Sequence, residues 1–97
     1  MAPGIEKLAD GRYAVRGDLV YETVGGVSRE ADRTLDFDAD AEVDLSGLGA
    51  VNSAGLALLV DWVARFRQHR RKLRFTHVSA HLRQLVDVNG LEALFTE

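Results

Sequence analysis

The chain has no cysteine, one proline, one methionine and one tryptophan among its 97 residues. Without thiols there is no disulfide, no cysteine nucleophile and no thiolate metal site, a composition that agrees with a reducing compartment. Long apolar runs are missing as well. Apart from glycine, the longest, Leu56 to Val60, ends at Asp61, far short of the ~20 residues a bilayer span requires. The opening Met-Ala-Pro-Gly-Ile-Glu-Lys lacks the apolar centre of a secretory signal. These absences predict a cytoplasmic protein. What remains, 46% hydrophobic residues, suits one domain over residues 1–97 with a single modest core.

Charge is unevenly spread. Residues 1–49 hold eleven acids and five bases, residues 50–97 four acids and seven bases, so one end of the fold is expected to be acidic and the other basic. Six bases lie between Arg65 and Arg74 (Arg65, Arg67, Arg70, Arg71, Lys72, Arg74). They suit anionic headgroups or nucleic acid; the better reading is solvated cations that complement the end of a helix. No nucleic-acid partner is expected.

Asp10-Gly11, set between short apolar runs, predicts a hairpin in which Tyr13 and Val15 share a face. Val24, Val27, Ala31 and Leu35 recur at helical spacing after a Thr23 cap, with Gly25 and Gly26 weakening the helix. Asp36 to Asp40 reads as an acidic connector. Ala41, Val43 and Leu45 alternate with polar neighbours as a central strand. After Asn52, the stripe Leu56, Leu59, Val60, Val63 and Phe66 predicts a helix running to about Arg70. Leu73, Phe75 and Val78 form the next strand, Ser79 caps a helix carrying Leu82, Leu85 and Val86, and Gly90 closes it before an apolar tail of Leu91, Leu94 and Phe95. The order strand, strand, helix, strand, helix, strand, helix implies an α/β fold with parallel neighbours and right-handed crossovers.

Catalytic and cofactor chemistry finds little support. His69, His77 and His81 are too scattered for a zinc motif. Asp36, Asp38 and Asp40 alternate as in a calcium loop, yet Ala41 stands where that loop needs glycine and Gly47 where it needs its last glutamate. Gly47, Gly49 and Gly55 punctuate a strand-to-helix turn, but no lysine follows Gly55, as a phosphate loop requires. No metal, cofactor or catalytic residue is expected.

Function is expected at the hinge between the central strand and the helix after it. Asn52 and Ser53 are good capping residues, and Gly55 permits close approach. Ala54, Leu58 and Trp62 complete the candidate partner-binding set, with Trp62 reading equally well as an interface anchor or a core residue.

Val43-Asp44-Leu45-Ser46-Gly47, five residues, then Ser53-Ala54-Gly55-Leu56 resembles the signature of STAS domains, the anti-sigma-factor-antagonist fold, over nearly the whole chain. The resemblance implies a mixed β-sheet with flanking helices and no enzyme activity. In the family's signalling members the residue before the second glycine is a phosphorylated serine or threonine. Here it is Ala54, whose methyl group cannot accept phosphate, while Ser53 one step earlier carries a hydroxyl. The hinge Ser53-Ala54-Gly55-Leu56-Ala57-Leu58-Leu59, with Gly17-Asp18-Leu19 and Asn89-Gly90-Leu91, is more closely similar to STAS subunits of Mla-type phospholipid-transport ABC systems. That likeness implies an accessory subunit that binds the cytoplasmic ATPase through Ser53, and through it the permease, without entering the membrane. The alternative it leaves is an anti-sigma factor antagonist that regulates a kinase by partner switching.

Overall fold

The computed structural model describes residues 2–95. Its elements are β1 (Gly4–Ala9), β2 (Arg12–Leu19), α1 (Val24–Thr34), β3 (Ala41–Val51), α2 (Ser53–Gln68), β4 (Leu73–Thr76), α3 (Ala80–Val88) and a short 3-10 turn, Glu92–Leu94. The order is the one expected. The strands form one sheet in sequence order, with β1 antiparallel to β2 and the pairs β2–β3 and β3–β4 parallel.

The sequential order dictates the layering. Two successive crossovers of the same hand place their helices on one face of the sheet, and α1 packs on α2, which packs on α3. Strand residues alternate accordingly. Tyr13, Val15, Val43, Leu45 and Phe75 are buried against Leu59, Trp62 and Phe66 of α2, with Val27 and Ala31 from α1 and Leu82 and Val86 from α3 completing the core. The intervening positions on the other face carry the ion pairs Arg16–Glu6 and Arg74–Glu42 across neighbouring strands. That face is solvated, so these pairs add little stability. The apolar tail is anchored by Phe95, 1% exposed, whose ring stacks on Phe75 at 4.9 Å.

Local chemistry explains the boundaries. Gly11, at φ 74°, makes the turn between β1 and β2. Ser79 caps α3 by accepting the Leu82 amide at 3.1 Å. Strand β4 stops at Thr76 rather than near Val78, because His77 turns into the left-handed region at φ 57°. Thr23 does not cap α1 as expected. Its hydroxyl instead accepts the Val20 amide and donates to the Asp18 carbonyl, closing the turn after β2.

The charge distribution also corrects the expectation. The acidic connector and the basic run lie at the same end of the sheet, where β3 and β4 begin, and they interlock. Asp38 Oδ1 meets His69 Nδ1 at 3.1 Å and Asp40 Oδ1 accepts the Lys72 amide at 2.9 Å, while Asp32 pairs with Arg65 at 2.7 Å. Acidic and basic flanks therefore sit side by side at one end.

Candidate functional site

Strand β3 continues to Val51, so the segment with Gly47 and Gly49, expected as a turn, is irregular strand. It pairs with β2 through Arg16–Gly47, Gly17–Leu48 and Leu19–Val51, with two register shifts. Asp18 Oδ1 holds its outer turn by accepting the Ala50 amide at 2.9 Å. The hinge reduces to one residue, Asn52, in extended conformation before the helix.

Asn52 is a cap first. Its Oδ1 accepts the amides of Ala54 at 3.0 Å and Gly55 at 3.4 Å, and its carbonyl accepts Leu56 N–H at 3.0 Å. Two of the amides that a helix start leaves without intrahelical partners are thus satisfied. Gly55 is buried, and a Cβ there would stand 2.0 Å from the Leu19 carbonyl oxygen. The start of α2 therefore rests directly on the end of β2, and Gly55 belongs to the fold rather than to a contact surface.

Ser53 remains as the exposed functional group. Its side chain projects at the first helical position and makes no hydrogen bond among the described residues. Ala54 is half-buried beside it, and Ala57, one turn on, is exposed. Leu58 and Trp62 do not join them. Leu58 keeps only 9% exposure and Trp62 none, because α2 is flanked on one side by α1 and on the other by α3, which widens its buried arc beyond the expected stripe. Trp62 is a core residue whose indole Nε1–H lacks an acceptor among the described residues.

One tie to the hinge escaped the sequence reading. His81 Nε2 lies 3.1 Å from the Val51 carbonyl oxygen and ties α3 to the end of β3. The two residues are thirty apart in the chain, and no local pattern announces their contact. Behind the hinge, Asp44 accepts the Ser46 amide at 2.8 Å and meets His77 Nδ1 at 3.0 Å. The Ser46 amide, aided by His77, holds the Asp44 carboxyl below its ordinary value.

The family model described as "Mlab, STAS domain" matches residues 6–96. The chain belongs to the STAS family. A search of curated proteins gives no match. The STAS fold fits the mixed four-stranded sheet and its single helical layer, and membership assigns the domain a regulatory or accessory role of STAS type. Among the described residues no group of histidines and carboxylates could hold a metal ion, and no helix is long and apolar enough to cross a membrane.

Proposed function

We propose that this STAS domain is a noncatalytic accessory subunit of a phospholipid-transporting ABC complex of Mla type, serving outer-membrane lipid asymmetry. It binds the ATPase subunit through Ser53 and the exposed start of α2, and reaches the membrane only through its partners. The observation that carries this reading is the hinge: an exposed, unbonded Ser53 hydroxyl on a rigidly capped helix, followed by Ala54 where a phosphorylated switch would need a hydroxyl. A rigid, small-residue surface favours permanent docking, since little side-chain entropy is lost on contact. By binding the active ATPase arrangement more tightly than the inactive one, the subunit raises transport without supplying a catalytic group.

Tagging the chain in its native cells and identifying what co-purifies tests the proposal. An ABC ATPase with its permease is the expected outcome. Recovery of a kinase or sigma-regulatory protein without transporter subunits would move the domain to the partner-switching branch, and a gain of one phosphate on incubation with that kinase and ATP would make Ser53 the switch.

A further inference from the structure

At the opposite end of α2 from Ser53, a concavity of about 320 Å³ opens between the helix end, the start of β4 and the C-terminal turn. Its floor includes Val63 and Leu94, and Arg67, Arg71, Lys72 and Arg74 surround it. No acid lines it among the described residues. Arg74 pairs with Glu42 on the outer sheet face, whereas the side chains of Arg67, Arg71 and Lys72 have no ionic partner among the described residues.

A helix dipole accounts for only part of this. Its C-terminal end carries roughly half a negative charge and acts within the last turn, which covers Arg67 but neither Lys72 nor Arg74 on the strand beyond. The chain also reverses here through Arg70, at φ 58°, in the conformation that glycine usually supplies at a helix end. The Arg71 amide closes the reversal onto the Phe66 carbonyl at 2.9 Å. This turn returns Arg71 and Lys72 to the rim of the concavity.

We infer that this basic concavity is a binding site for a phosphate ester. A carboxylate would neutralise one of the cations, whereas a phosphate monoester carries about −1.5 to −2 charges and three acceptor oxygens. Guanidinium groups match phosphate geometry in bidentate fashion. The apolar floor suits the ester's carbon skeleton and favours an organic phosphate over the bare ion. The site is separate from the hinge, so its failure and that of the ATPase reading are distinguishable.

Titration of the ¹⁵N-labelled full chain with glycerol 3-phosphate at low salt tests the inference, with inorganic phosphate as comparison. Saturable amide shifts confined to Arg71, Lys72, Leu73, Ala93 and Leu94, with a Kd on the order of 1 mM and tighter for the ester, are expected. Arg67→Glu with Arg71→Glu should weaken binding at least about tenfold, as should Lys72→Gln, a milder change that keeps the test decisive if the double variant misfolds. Co-sedimentation with phosphatidylcholine vesicles containing about 30% phosphatidic acid, whose headgroup is a phosphate monoester, identifies the source. Pelleting that the same substitutions abolish assigns the site to lipid headgroups, and saturable ester binding without pelleting assigns it to a soluble phosphate. Shifts scattered over Arg29, Arg33 and Arg83, no saturable shift, or unaltered binding by folded Lys72→Gln and charge-reversal proteins would overturn the inference.

Discussion

At the scale of single residues, the hinge depends on groups fixed by their packing and hydrogen bonds within the domain. Gly55 has no space for a side chain, since its Cβ would lie 2.0 Å from the Leu19 oxygen and 3.1 Å from Val51 Cγ1. Gly55→Ala must move α2 off β2, at a cost of about 2–3 kcal/mol comparable to overpacking a core, and thermal melting should show a Tm lower by several degrees. Trp62 presents the opposite problem. Its buried indole N–H lacks an acceptor among the described residues, an omission worth about 1–3 kcal/mol. Trp62→Phe removes that donor while keeping most of the ring, so urea unfolding should place it within about 1 kcal/mol of the parent, against ~3–5 for Trp62→Ala. A loss for Trp62→Phe as large as for Trp62→Ala would mean that the indole's full volume matters more than its orphan donor. Asp44 adds a pH dependence. Its folded-state pKa lies below the ordinary 3.8, chiefly through the Ser46 amide and then His77. The associated stability is therefore fully present above about 3.8 and is lost as pH falls through the lower folded value. The stability gap between parent and Asp44→Asn should close as pH falls below about 3.8; a gap independent of pH down to full protonation would show that only the neutral hydrogen bonds matter.

At the scale of elements, α2 was legible and its surroundings were not. Asn52 before an apolar stripe specifies a capped helix, and the structure provides both hydrogen bonds and burial. The same stripe could not say how wide the buried arc is. That width depends on α1 and α3 packing on either side, which turns Leu58 and Trp62 inward and leaves Ser53 and Ala57 outside. Strand β3 was legible only while its residues alternate. From Gly47 to Ala50 no alternation exists, and strand geometry comes instead from pairing with β2 and from Asp18, thirty-two residues from Ala50 in sequence. The family resemblance added what periodicity lacks, namely the expectation that the hinge meets a partner. Because Ser53 is the first residue of the helix, exposed and unbonded, Ser53→Trp should leave the far-ultraviolet dichroism and Tm nearly unchanged, within about 0.5 kcal/mol as for most surface positions. Capture of the ATPase by the tagged protein should fall at least tenfold, a loss of about 1.4 kcal/mol. Undiminished capture would remove Ser53 from the interface.

At the scale of the molecule, α2 acts as a spacer between two surfaces of different chemistry. Its 16 residues span about 24 Å at 1.5 Å per residue, with small, nearly uncharged groups at the Ser53 end and, at the other, the cations Arg67, Arg71 and Lys72, which have no ionic partner among the described residues. Physiological salt screens exposed charges over about 8 Å, so neither end reaches the other electrostatically. Substitutions more than about 10 Å apart with no shared partner combine additively. Ser53→Trp should therefore abolish ATPase capture while leaving the glycerol 3-phosphate shifts intact, and Arg67→Glu with Arg71→Glu should do the reverse. A protein carrying all three changes should show both losses and a Tm shift equal to the sum of the separate ones. If the charge-reversal pair also released the ATPase, the partner would have to cover both ends of α2, and the basic concavity would belong to one extended protein interface rather than to a phosphate ester.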